Sequence, residues 1–425
     1  MEQGRRDFIK TAGALALPLI ATGRVWGQDV PSKDITIGVI GCGGIANPHL
    51  TSLFATKGCR VVAVCDVDRN HLDWAAKRVN TAYESKDCLK YHDFRELNRD
   101  QKIDAVLVCT PDHWHALIAI DALRNGKHVY VEKPVTLTLR EGQALAKVAA
   151  ETGLVTQTGT QQRSSKNFQK IANLLRNNRL GQLSRIDILI PPDSRICPGI
   201  YQTEPVPETL DWNFWLGPAP LRPFTRQGCH YNFRFISDYA RGQITNWGSH
   251  YVDIAQWALD MDQSGPVEIS GSGSFPTSGL FNNAQRIDVE VRYPNGLPMT
   301  IRSGGDPDDG SICFQGERGW IWLSRSRTLA SDPKLLSEPL PKDAKTVLLS
   351  RDHHDNFLDA IRGNTKTVSD VAVGHRTNTV CTLADIAMHV GRKLKWDPKT
   401  ESFVDNDLVA TRMLGRAMRG PWALV

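Results

Sequence analysis

The sequence predicts an α/β protein in two parts, an amino-terminal doubly wound parallel sheet and a carboxy-terminal α/β domain with an open, mainly antiparallel sheet. Three observations carry this expectation. A glycine-rich turn, Gly41-Cys42-Gly43-Gly44-Ile45-Ala46, follows an apolar strand run, and about one helix later a second run closes on the acid Asp66. From Ile35 to about Thr158, apolar runs alternate with helical stretches, as in a parallel sheet covered on both faces. Beyond Gly159 the pattern changes: Ile287, Val289, Val291 and Tyr293 alternate with Asp288, Glu290 and Arg292, a half-buried antiparallel strand entering an Asn295-Gly296 turn. Further strands are expected at 298–303, 312–316 and 319–323, and helices at 353–363 and 375–393.

The 425 residues leave room for more than one domain. Three segments are expected: 1–27 as an address, 33–158 as the parallel-sheet domain and 159–425 as a substrate-binding and oligomerisation domain. In the first, Arg5-Arg6-Asp7-Phe8-Ile9-Lys10 precedes a short apolar run from Thr11 to Thr22 and resembles a bacterial twin-arginine export signal. Cleavage is expected after Gly27, with Val25 at the minus-three position. That address predicts a periplasmic or otherwise exported protein, carried folded by the twin-arginine machinery. No run of about 18 uninterrupted apolar residues offers a spanning helix. The formal charge is +5; residues 1–27 hold Arg5, Arg6, Lys10 and Arg24 against Glu2 and Asp7, so their removal takes off +2 and leaves +3. No basic stripe for nucleic acid remains. The nine cysteines form neither a disulfide framework nor a paired CxxC for zinc. Residues 191–235, rich in Pro, Gly and aromatics, break both periodicities and are expected to form a long loop near a site or an interface.

In a glycine-rich turn of this kind the backbone approaches a pyrophosphate, whose charge rests on the following helix N-terminus. Asp66, ending the second strand, can accept hydrogen bonds from both ribose hydroxyls and repels a 2′-phosphate. NAD is therefore favoured, while Arg69 keeps NADP open. Ligands of such sheets gather beyond the carboxyl ends of the strands. Besides Gly41 and Asp66, that edge receives Thr110-Pro111-Asp112-His113-Trp114-His115 and Glu132-Lys133-Pro134. The candidate cofactor-binding residues are Gly41, Gly43, Gly44, Ile45, Ala46, Asp66, Thr110, Pro111, His113, His115, Glu132, Lys133 and Gln161. No metal site is expected: His113 and His115 lack a third ligand at recognisable spacing.

Taken with Gly248-Ser249-His250 and the Leu210–Pro220 loop, these motifs resemble those of the glucose-fructose oxidoreductase, inositol dehydrogenase and MocA family, in its exported branch. The resemblance runs from about Lys33 to the end. It implies a Rossmann domain followed by an open-sheet α/β domain, and oxidoreduction at a secondary hydroxyl or ketone of a sugar or cyclitol. It also implies that Lys133 lies beside the nicotinamide and the reacting oxygen, where an ammonium stabilises developing negative charge. His250, early in an expected helix, is the second proton-handling candidate, with Asn246 four residues before it and Asp253 three after. The competing reading is a core histidine, because Ile254 and Trp257 continue its face. Many dehydrogenases of the family carry Asp where Asn246 stands, which calls simple alcohol oxidation into question. Lys133, His250 and Asn246 are thus the expected catalytic residues, and Arg163, Tyr231, Arg234 and Asp253 the expected substrate contacts.

The resulting expectation is hydride transfer between a tightly but non-covalently bound NAD and a sugar, glycoside or cyclitol. Two alternatives accompany it: a redox-neutral, NAD-dependent glycoside hydrolase or lyase acting through a transient keto-sugar, and a non-catalytic sugar-binding protein. Self-association into a homo-oligomer is expected from the open sheet face.

Overall fold

A computed structural model describes residues 34–192, 201–304, 306 and 309–424. The expected export signal lies outside these residues. The first sheet is built from β1 (Ile35–Ile40), β2 (Cys59–Cys65), β3 (Leu89–Tyr91), β4 (Ala105–Val108), β5 (His128–Val131) and β6 (Thr156–Thr158). Its order is β3-β2-β1-β4-β5-β6 and every pairing is parallel. Parallel strands need helical crossovers that cover both faces, so β1 and β4 are buried almost throughout. The strand order reverses between β1 and β4, and the crevice at that switch point is where such sheets bind ligands.

The second sheet holds β7 (Leu183–Ile190), β8 (Glu268–Ser274), β9 (Arg286–Arg292), β10 (Pro298–Ser303), β11 (Ser311–Gly316) and β12 (Gly319–Leu323). Three short strands complete it: β13 (Thr328–Ala330), β14 (Leu394–Asp397) and β15 (Ser402–Phe403). The order is β13-β12-β11-β7-β10-β9-β8-β14-β15, antiparallel except where β10 runs parallel to β7. In β9, Ile287, Val289 and Val291 are buried and the intervening residues face solvent, as the alternation requires. The buried face packs on the helices Lys166–Arg176, Gly248–Ala258 and Val371–Val390. The opposite face carries the exposed apolar side chains Leu189, Trp320 and Leu329.

The helix expected at 375–393 spans Val371–Val390 instead. Asp370 caps its start by accepting from the Val373 amide at 2.8 Å, and Gly391 ends it in the left-handed region at φ 65°. The helix expected at 353–363 ends at Ile361. Of the expected loop, 193–200 lie outside the described residues. The remainder folds back on itself around the short helix Trp212–Leu216, where Trp212, Trp215, Phe224 and Phe233 form their own apolar cluster. The carboxy-terminal tail returns to the first domain. Arg416 donates to Glu141 at 2.8 Å and to the His113 carbonyl at 2.7 Å, and Trp422 packs edge-on against Trp114.

Candidate active site

The first glycine of the turn is dictated by two constraints. Gly41 has φ 87°, and a Cβ there would sit 2.7 Å from the backbone of Cys109 and Thr110. Gly44 faces open space, so a ligand can approach its backbone closely. The Ala46–Ala55 helix then begins with no capping side chain and no acid in its first turn, leaving its amides to an anion. Asp66 is held by its own neighbourhood: one carboxylate oxygen accepts from the Cys42 amide at 2.6 Å, the other from the Asp68 amide at 2.8 Å. These groups border a cavity of about 500 Å³ that runs along the switch point.

Of the expected cofactor residues, Gly41, Gly43, Gly44, Ile45, Asp66, Thr110 and Pro111 line this cavity. Tyr231 and Arg234, expected to meet substrate, line it as well. Sequence reasoning missed its aromatic walls, which Trp114, Phe214, Trp215 and Phe233 supply together with His71 and His230. The strap from Thr209 to Phe235 therefore crosses the crevice. It is tied to the turn after β2 by the Arg69 amide donating to the Thr209 carbonyl and the Asp211 amide to that of Val67, at 2.9 and 3.0 Å. His230 Nε2 lies 3.1 Å from the Asp68 carboxylate. The run of aromatics between 210 and 235 was the only signal available, and it marked a site without saying which side chains enter it.

Six of the expected cofactor residues, Lys133 among them, lie outside the cavity lining, and three of these turn to protein partners. His113 and His115 are buried and bond backbone instead: His113 Nε2 lies 3.1 Å from the Trp215 carbonyl, while His115 has its ring nitrogens 2.7 and 2.8 Å from those of Pro134 and Thr110. They hold the loops, and Trp114 between them lines the cavity. Glu132 turns its carboxylate to His49 at 3.0 Å and accepts from the Lys133 amide, in a chain that continues through His354 to Ser52. Burial opposes its ionisation, but the bond from His49 prevails and holds the carboxyl below its ordinary value. Ala46 is buried at the helix start, and Gln161 is exposed in a short 3-10 turn outside the cavity lining.

Two expected substrate contacts are also corrected. Arg163 and Asp253 are fully buried and bonded to each other twice, both at 2.7 Å. Asp262 takes two further bonds from the same guanidinium at 2.8 Å, and Thr377 donates to Asp253 at 3.0 Å. No capacity is left for a sugar. A buried pair of this kind is costly to break from one side, and it ties the 3-10 turn to the Gly248–Ala258 helix.

The proton-handling candidates come together. Lys133 Nζ donates to both the backbone carbonyl and the side-chain oxygen of Asn246, each at 3.0 Å. Asn246 is steadied by donating to Gln243 at 2.9 Å. Burial pulls the Lys133 ammonium down to about 8; Arg234 and Arg325 push the same way, against Glu132 and Asp112. His250, 5 % exposed in the Gly248–Ala258 helix, has no partner for Nδ1 among the described residues. Burial, aided by Lys133 and Arg325, drives its pKa well below the ordinary histidine value, so the imidazole is neutral. A neutral imidazole keeps one ring nitrogen able to accept a proton. Asp112, at the start of the helix after β4, is buried, which raises its carboxyl to about 6.

Family models decide the kinship. An NAD-binding Rossmann model of the Gfo/Idh/MocA oxidoreductases matches residues 35–160, and the family's C-terminal α/β model matches 199–424. The chain belongs to the Gfo/Idh/MocA oxidoreductase family. A glycosyl hydrolase family 109 protein of Shewanella pealeana is 31% identical over 211 residues, 43% of this chain and 45% of that protein. Inositol 2-dehydrogenase of Salmonella typhimurium is 25% identical over 228 residues, 53% of this chain and 54% of the relative. The chain thus spans about half the length of the curated relatives it matches. Among solved structures, the WlbA dehydrogenase of Bordetella pertussis, in complex with NADH and UDP-GlcNAcA, superposes with a TM-score of 0.64 at 18% identity, over 85% of this chain and 99% of that one. At that identity the likeness concerns the fold. The groups in the crevice fit a dinucleotide: a turn open at Gly44, an uncapped helix start whose amides can donate, and an acid at the end of β2 that can accept.

Proposed function

We propose that the protein is an exported NAD-dependent oxidoreductase that moves hydride between the cofactor and a carbon of a sugar, glycoside or cyclitol. The observation that carries this reading is the Lys133–Asn246 pair set beside a neutral, unpartnered His250. Bound NAD supplies the hydride acceptor. His250 takes the hydroxyl proton as the C–O bond gains double-bond character, and the Lys133 ammonium stabilises the charge that grows on that oxygen. Asn246 acts by positioning, since two acceptors at 3.0 Å fix where the ammonium stands. Asp66 and Asp68, side by side at the ribose end, disfavour a 2′-phosphate and support NAD over NADP.

The strap over the crevice supports a cofactor that stays bound through turnover, which suits a compartment where free nicotinamide is scarce. The exposed face around Leu189, Trp320 and Leu329 supports self-association. A redox-neutral glycoside hydrolase or lyase is the second reading, favoured by the family 109 relative and by the amide at Asn246 where many dehydrogenases of the family carry a carboxylate. There the oxidised sugar acidifies the neighbouring C–H, the substituent is eliminated, water adds, and hydride returns to the carbon it left.

The test is mass spectrometry of protein purified without added cofactor, followed by a sugar and glycoside panel read at 340 nm with product analysis. Copurified NAD(H) and a net absorbance change support the dehydrogenase. Released aglycone without net NADH supports the hydrolase. Sugar binding without either product overturns both and leaves a binding protein.

A further inference from the structure

Elsewhere in the molecule the well-buried guanidiniums are neutralised: Arg163 by Asp253 and Asp262, Arg241 by Asp385, Arg416 by Glu141. Around the reacting end half-buried Arg234 and exposed Arg325 both stand close enough to Lys133 to act on it electrostatically, and among the described residues none of the three forms an ion pair. The neighbouring carboxylates are otherwise engaged: Asp309 accepts from the Arg325 backbone amide at 3.2 Å and from the Tyr251 hydroxyl at 2.8 Å. Glu132 is engaged by His49, and Asp112 is partly neutralised by burial. Arg234 belongs to the cofactor side, since it lines the crevice and stacks on Tyr231 and Phe233, each at 4.6 Å. Arg325 does not line the crevice.

Arg325 sits in the turn between β12 and β13, held by the Ser324 amide donating to the Arg327 carbonyl at 2.8 Å. Its guanidinium lies 4.7 Å over the ring of Trp247, which is itself 6.0 Å from the His250 ring. Its only side-chain hydrogen bonds among the described residues are two at 3.3 Å to Gln162 Oε1. Gln162, 4 % exposed, leaves its own Nε2 without a partner. A planar fork stacked on an indole, weakly bonded and unpaired, is built to meet an oxyanion with two parallel bonds.

We propose that Arg325 and Gln162 form an anion subsite, so that the sugar turned over at Lys133 and His250 carries a carboxylate, or a sulfate or phosphate ester. The inference rests on the sugar reading above and narrows its substrate class to acidic carbohydrates. Trp247 lies beneath the guanidinium and beside His250, so the candidate anion site adjoins the proton-handling histidine.

The test is calorimetric titration of NAD-loaded protein with D-glucuronate, glucose 6-sulfate, glucose 6-phosphate and D-glucose, for wild type and Arg325→Met, at two salt concentrations. At least one acidic sugar should bind about 10-fold or more tightly than glucose at low salt, with the margin shrinking as salt rises. Arg325→Met should bring acid and neutral sugars to within about 2-fold of each other. Which acid is held identifies the carboxylate or ester source. Equal affinity for acidic and neutral sugars, no binding of any acid, or an acid preference that survives Arg325→Met overturns the subsite. Absorbance at 340 nm and product analysis on the same samples separate the two claims. Turnover of neutral glucose with no acid preference removes the subsite and keeps the oxidoreductase, whereas tight acidic binding with no hydride movement or product removes the reaction and keeps the subsite.

Discussion

Asp253 and His250 are three residues apart on one buried helix, and they lead opposite lives. Around Asp253 every bond is made: Arg163 twice, Thr377 once, with Asp262 completing the guanidinium. Around His250 a ring nitrogen has no partner among the described residues, and burial, aided by the nearby cations, holds the imidazole neutral. A folded chain rarely leaves a buried polar atom unpaired, because doing so costs about 1–3 kcal/mol. An unpartnered atom alone does not mark a ligand site, since His113 Nδ1 and Arg416 Nη1 are buried without partners as well; His250 is set apart by standing in the electrostatic reach of Lys133.

The sharpest break in this comparison comes from Lys133. Lys133→Met should lower the turnover rate by about 10³-fold or more while leaving bound NAD and the melting temperature nearly unchanged, because Asn246 is the only hydrogen-bond partner of its Nζ among the described residues. Asp253→Ala should do the reverse. Stripping Arg163 of its buried partner should cost about 3–5 kcal/mol in a urea titration, with the residual folded enzyme still turning over. A catalytic loss in the Asp253 variant larger than its loss of folded protein would erase the distinction between the two clusters. The smallest of the three effects is His250→Gln, which keeps the volume and removes the base. It should lower turnover about 10²-fold with little change in sugar affinity or melting temperature.

Much of the first domain was legible in the sequence because its signals are local. The turn at Gly41, the acid at Asp66 and the residues after β4 and β5 sit where strand ends must sit, and a parallel sheet brings strand ends to one edge by construction. Orientation was not legible. Glu132 and Lys133 are adjacent, yet a strand end sends one toward His49 behind the sheet and the other toward Asn246. Arg163 looked like a reach into the site because it follows β6, and only its partners Asp253 and Asp262, 90 and 99 residues away, show that it turns inward. Arg325 was missed for a similar reason: it arrives from a turn far along the chain, and its neighbours Gln162 and Trp247 come from two other segments. The aromatic strap carried a compositional signal but no periodicity, so its presence was visible and its contacts were not.

The central claim, that a neutral imidazole and a depressed ammonium serve one reacting oxygen, is tested most directly by the pH dependence of single-turnover hydride transfer at bound NAD. Lys133 loses its proton as pH rises through about 8, while His250 is already neutral at pH 6.5. The rate should therefore hold level from pH 6.5 upward, fall above about 8, and lose that alkaline limb along with most of its magnitude in Lys133→Met. A Lys133→Met enzyme with wild-type rate and an unchanged profile would contradict the account.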